Sequence, residues 1–116
     1  MAISTTAAKF RKTGDTLDIT ASANIPAGAI KVIDGCNCLA LWPVANGEKG
    51  SLKVLQRGEV IEVTTNEAIG ETSAGTAIYV VAATGLVTKT STSNVLLGYA
   101  RAAIGATDLS FEVVCA

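Results

Sequence analysis

Short runs of aliphatic and β-branched residues recur along this chain, each bounded by glycine, asparagine or serine. In one example, an apolar run at residues 77–83 is followed by the turn Thr84-Gly85 and by a short return at residues 86–88. Runs of this length between turn residues are typical of β-strands, and no segment carries a sustained helical stripe of apolar residues. We therefore predict an all-β fold, a single small barrel-like or sandwich-like domain.

The same pattern predicts the remaining strands. They fall at residues 15–20, 29–33, 36–44, 52–55, 59–64, 95–100 and 109–114. In the first of them Leu17 and Ile19 alternate with polar residues, so both are expected to face the core. Pro43 closes the run that contains Trp42, which suits an edge strand or a strand end. Residues 100–106 form the one segment in which a short helical turn would also fit.

A chain of 116 residues is long enough for one domain and short for two. We expect residues 1–12 to form a flexible N-terminal arm and residues 13–116 to form the domain. Neither a secretory signal nor a membrane span is expected from the sequence. The net charge of −1 and a charged fraction of 16% argue against a nucleic-acid partner, which requires clustered lysine and arginine. So few charges suit either a surface that contacts other subunits or an alanine- and threonine-rich surface on a monomer.

The residue types that carry catalysis and metal binding are scarce. The chain has no histidine and three cysteines, so a structural zinc site lacks ligands. Asp15 and Asp18 are expected on opposite faces of one strand, where their carboxylates do not converge. The loop around Lys49 lacks the order of glycine, lysine and serine that a phosphate-binding loop requires. We therefore predict no enzyme activity, no cofactor and no metal.

Three features remain as candidates for contacts with other subunits. Trp42 is either a core residue or, if it is exposed on an edge, an interface anchor together with Pro43. The second feature is the only basic cluster, which is either a solvated tail or an arm that orders on a partner; its contact candidates are Lys9, Phe10, Arg11 and Lys12. Cys36 and Cys38 are expected to point apart and not to bridge each other. Cys115 is either a buried thiol or the site of a disulfide between subunits.

Five segments in this order resemble a family of capsid decoration, or cement, proteins of tailed bacteriophages. They are GDTLDITA (14–21), GEVIEV (58–63), GTAIY (75–79), TGLVT (84–88) and NVLLGYA (94–100). Members of that family have also carried a RecA-like recombinase label, which the missing phosphate loop and basic face do not support.

The resemblance implies a structural virion protein on the outer surface of an icosahedral head. It would be made in the cytoplasm of the bacterial host. Its partners would be the major capsid protein, which it would bridge, and further copies of itself, as a trimer or a dimer. Two alternatives stay open, a head-fibre module that binds a glycan or receptor and a structural protein of the tail or neck.

Overall fold

The computed structural model describes residues 16–33 and 35–116, and within them the chain forms strands and turns without a helix. The strands are β1 (Thr16–Thr20), β2 (Ile30–Ile33), β3 (Cys36–Leu39), β4 (Lys49–Val54), β5 (Val60–Thr64), β6 (Ala77–Val80), β7 (Val87–Thr88), β8 (Val95–Ala100) and β9 (Ser110–Cys115). The predicted all-β fold is confirmed. The predicted arm at residues 1–12 lies outside the described residues.

The strands form two antiparallel sheets that stay open, so the domain is sandwich-like and not a closed barrel. The first sheet has the order β1-β4-β3-β2, and the second has the order β5-β9-β8-β6-β7. We call residues 16–54 the N-half and residues 60–115 the C-half. In β1, Leu17 and Ile19 are half-buried between exposed polar neighbours, as their alternation predicts.

The two halves repeat the same topology. With β7 set aside as an extra strand of the C-half, β5, β6, β8 and β9 occupy the places of β1, β2, β3 and β4. Isolated bridges also correspond, because Ile25 pairs with Val44 in the N-half and Thr72 pairs with Ile104 in the C-half. The repeat extends to turn hydrogen bonds, in which Gly28 N–H donates to the Ala40 carbonyl at 2.7 Å and the equivalent bond of the C-half is 2.8 Å long.

Each half contributes its own buried cluster. The smaller cluster belongs to the N-half and consists of Ala21, Ile25, Cys38, Ala40, Val44 and Leu52. The larger cluster is made mainly by the C-half, with Val113, Ile78 and Val80 fully buried at its centre. One residue of the N-half, Ile30, is buried in the larger cluster. The two halves therefore share an apolar interface in addition to the connecting chain.

Three segments differ from their prediction. The apolar run at residues 36–44 is a strand only as far as Leu39, because Ala40 and Val44 bond to a neighbouring loop instead of continuing the sheet. Strand β4 begins at Lys49, within the segment expected to be a hairpin loop. Residues 101–109 form bends and turns around the bridge at Ile104, so the helical turn considered there is absent.

Candidate interaction surface

Two loops of the N-half are pinned together at one end of the first sheet. Ile25 and Val44 exchange two backbone hydrogen bonds of 2.8 Å, and the Asn46 N–H donates to Asn24 Oδ1 at 2.8 Å. Further along, the Gly47 N–H donates to the Ala21 carbonyl at 2.7 Å. These bonds hold the segment between Ala40 and Val44 as a short, anchored loop.

The loop presents an apolar tip, which we define as Leu41, Trp42 and Pro43. Its flanking residues Ala40 and Val44 are buried, whereas Leu41 is 52% exposed and Trp42 is 74% exposed. Pro43 is also exposed, and its ring fixes its own φ, which reduces the freedom of the tip. Three consecutive exposed apolar residues on an anchored loop are the features of a contact surface and not of a core segment.

Gly50 packs closely against Val44, the buried residue that follows the tip. A Cβ atom at Gly50 would lie 2.6 Å from Val44 Cγ2, so a larger residue there would displace Val44. The equivalent loop of the C-half has the corresponding pair of backbone bonds, between Thr72 and Ile104, but presents Arg101, Ala102 and Ala103, which are also exposed. The repeated backbone therefore carries an apolar tip in the N-half alone.

Of the other predicted contact residues, Cys115 is the one that lies in the described part of the chain. Lys9, Phe10, Arg11 and Lys12 lie outside the described residues. Cys115 is buried at the end of β9, where its backbone bonds to Gly58 and Glu59. Its disulfide with a neighbouring subunit stays a prediction, and it would require this strand end to open.

Cys36 and Cys38 do not point apart as expected. Positions two apart on a strand share a face, and the Cys38 thiol lies 3.7 Å from the Cys36 carbonyl oxygen. Cys36 is exposed and Cys38 is buried, and neither forms a disulfide. Burial raises the pKa of the Cys38 thiol, and proximity to Cys36 raises it further.

One ion pair lies beside the junction of the halves. Lys53 Nζ on β4 is 2.9 Å from Glu59 Oε2, and Glu59 Oε1 accepts the Gln56 N–H at 2.6 Å. The bond from Lys53, followed by that from Gln56, lowers the pKa of the Glu59 carboxyl below its ordinary value. Burial raises the pKa of the nearby Cys115 thiol, and the charge of Glu59 raises it further.

The described residues contain no cluster of metal-ligating side chains. Within residues 16–33 and 35–116, no three cysteine, aspartate or glutamate side chains converge to hold a metal ion. A cleft of about 780 Å³ is lined by residues of both halves, among them Ile30 and Leu39 of the N-half and Ile61 and Val63 of the C-half. Over the same residues, no helix has the length and apolar character needed to cross a membrane.

An all-β domain with an exposed apolar tip is suited to binding another macromolecule. The sequence profile of the phage cement protein family matches residues 11–115, which is nearly the whole chain. This protein therefore belongs to the phage cement protein family, as its sequence segments indicated. No curated protein and no solved structure gives a significant match. Membership of a family of structural proteins indicates a capsid-associated, non-enzymatic role.

Two features of the surface were missed from the sequence. Leu41 was assigned to a strand, although it is exposed beside Trp42. Tyr99 lies within the strand that is predicted at residues 95–100, and its side chain is 44% exposed. In each case the local pattern is apolar, and only the tertiary arrangement decides which side of the element is covered.

Proposed function

We propose that this protein binds the outer surface of an icosahedral phage head and bridges subunits of the major capsid protein. Family membership supports the association with a capsid. The exposed tip at Leu41, Trp42 and Pro43 is the observation that supports a specific contact. In this proposal Trp42 and Pro43 insert into a depression of the capsid surface, and residues 9–12 contact the same shell.

Bridging gives a physical reason for stabilisation. A protein that binds the assembled shell more tightly than the separate subunits shifts the equilibrium towards the assembled shell. Such work requires contact area and a rigid anchor, and it requires no titratable chemistry. An anchored tryptophan suits this task because aromatic residues at the centre of an interface often provide much of its binding energy.

The exposure of Trp42 also favours a second function. A glycan- or receptor-binding module of the head requires an aromatic side chain that stays accessible on the assembled particle. The two functions differ in where Trp42 lies after assembly. On the cement proposal it is covered by a capsid subunit, and on the glycan proposal it faces solvent.

The proposal is tested with capsid shells that lack this protein. Purified full-length chain and a chain without residues 1–12 are each mixed with the shells, sedimented and quantified, and the melting temperature of the shells is measured. We expect the full-length chain to saturate at a fixed ratio to capsid subunits and to raise the melting temperature. Weaker binding of the shortened chain would assign residues 1–12 to the contact.

Failure to bind any form of the shell would contradict the proposal. The alternatives would then be a tail or neck component, tested by sedimentation with purified tails, and a glycan-binding module. Binding at saturation without a change in the melting temperature would contradict the bridging step alone, because a protein on one subunit does not hold neighbouring subunits together.

A further inference from the structure

The contact between the halves places one face of the first sheet on the second sheet. We call the face of each half that carries Leu52 or Val113 its front, and the opposite face its back. On the back of the N-half, one row across the strands consists of Thr16, Lys53, Leu39 and Ile30. Ile30 is buried in the larger cluster, and Leu39 packs against it beside Val32 and Leu55. The back of the N-half therefore covers the front of the C-half.

Polar contacts join the same two faces. The Asn37 side-chain amide, on the back of the N-half, donates to the Leu96 carbonyl of β8 at 2.9 Å. Lys53, in the same row as Leu39, forms the 2.9 Å ion pair with Glu59 just before β5. The internal interface is thus defined by apolar packing and by two directed contacts.

The back of the C-half repeats this row with apolar residues but has no cover. The equivalent row consists of Val60, Val114, Tyr99 and Ala77. Tyr99 is 44% exposed and Val60 is 47% exposed, and Val114 and Ala77 are half-buried. In this row, Tyr99 and Ala77 occupy the positions equivalent to Leu39 and Ile30, through which the N-half packs on the C-half.

The front of the N-half is less completely covered than the front of the C-half. Val63 and Val80, on the front of the C-half, are buried in the larger cluster, to which the N-half contributes Ile30. Their equivalents Ile19 and Ile33 are only half-buried, although the loops of the N-half fold over the centre of this face. The front of the N-half thus lacks part of the cover that the front of the C-half possesses. On the back of the C-half, an apolar row, beside which the paired residues Glu62 and Glu112 are exposed on the same face, covers no other described part of the chain.

We infer that the exposed back of the C-half of one copy packs on the front of the N-half of a second copy. The contact would repeat between chains the arrangement that already joins the two halves within one chain. Because the two faces differ, the interface is head-to-tail, and each copy offers one face of each kind. Such an interface forms a closed ring where its rotation closes.

The alternative occupant of the front of the N-half would be residues 1–15 of the same chain, which precede β1 in the sequence. The second copy is favoured because the back of the C-half also requires a partner, and one contact satisfies both faces. The inference is independent of the proposed function, since a monomer that saturates capsid shells would overturn the inference alone.

The test uses two variants of the full-length protein, each altered on one face. Tyr99→Glu places a charge on the back of the C-half, and Ile33→Glu places one on the front of the N-half. Exposed Cys36, next to Ile33 on the same face, provides Cys36→Glu as a second variant should Ile33→Glu fail to fold. Leu109→Glu, at a position 46% exposed and outside both faces, is the control.

Self-association is measured by sedimentation velocity over a range of concentrations. We expect the unaltered protein and the control to associate, and each face variant to have a dissociation constant raised roughly 30-fold or more. In a mixture of the two face variants, the intact back of the C-half of one variant can pack on the intact front of the N-half of the other. The product should be a dimer that adds no further copies, because its two remaining faces are both altered. An interface made of the same face on both copies would not be restored by mixing.

Three results would overturn the inference. They are a monomeric unaltered protein at all concentrations, face variants that associate like the control, and mixed variants that stay monomeric. The chain without residues 1–12 separates the two occupants. If it associates while the full-length chain is monomeric, residues 1–12 cover the face and the second copy does not.

Discussion

Replacing Trp42 by alanine tests the tip without disturbing the fold. The side chain is 74% exposed, so its removal should change the free energy of unfolding by less than about 0.5 kcal/mol. Tryptophan side chains offer roughly 150–250 Å², of which about 110–180 Å² is still available here. At ~25 cal/mol per Å², covering this area on a capsid subunit is worth about 3–5 kcal/mol.

Side-chain ordering and imperfect fit reduce that value, so we expect a loss of at least about 2 kcal/mol. The dissociation constant for empty shells should therefore rise about 30-fold or more, while the melting temperature of the free protein stays nearly unchanged. Co-sedimentation over a range of concentrations measures the first quantity, and calorimetry measures the second.

Leu86→Ala is the matched control for this experiment. Leu86 is 61% exposed in the turn between β6 and β7 and is not part of the tip, so its truncation should leave shell binding unchanged. Unchanged affinity for Trp42→Ala would refute the role of the tip. An equal loss with both variants would show that the assay reports general surface hydrophobicity.

Three further predictions concern the domain itself, and a fourth test concerns Cys115 in intact particles. A Cβ atom at Gly98 would overlap a backbone carbonyl of β9, so Gly98→Ala should destabilise the protein by about 3 kcal/mol or more in chemical denaturation. Lys53 lowers the pKa of Glu59 in the folded protein. The stability that this carboxylate contributes is therefore complete above the ordinary glutamate pKa and is lost as the pH falls through the lowered pKa. Glu59→Gln should accordingly reduce the fall in melting temperature that acid causes. In thiol labelling, Cys36 should react roughly 10-fold or more faster than Cys115, which is buried and has a raised pKa; equal rates would contradict the buried position of Cys115. Intact particles with equal mobility on reducing and non-reducing gels would rule out the intersubunit disulfide at Cys115.

Local patterns were sufficient to predict the class of fold. The alternation in β1 placed Leu17 and Ile19 towards the core, and the turn at Thr84-Gly85 separates β6 from β7 as predicted. Such signals depend on neighbouring residues and therefore survive without tertiary information. The exposure of Trp42 could not be predicted in this way, because its apolar run also suits a core strand. Only the structure shows that Ala40 and Val44 bond to a neighbouring loop instead of continuing the strand.

The internal repeat was accessible in the sequence but was missed. Leu-Asp-Ile-Thr at residues 17–20 corresponds to Ile-Glu-Val-Thr at residues 61–64, and Ala27-Gly28 corresponds to Ala74-Gly75. The extra strand β7 and its flanking loops change the spacing between later equivalents, which removes a fixed period. The exposure of Tyr99 could not be predicted either. A local apolar pattern does not show which face of a strand the other half of the molecule will cover.

The most direct test of the capsid role is an electron cryomicroscopy map of shells decorated with the full-length protein. We predict density for this domain on the outer surface, across the junction between capsid subunits, with Trp42 covered by one of them. Density confined to a single subunit would contradict bridging. A domain bound with Trp42 facing solvent would contradict the assigned contact and favour the glycan-binding alternative.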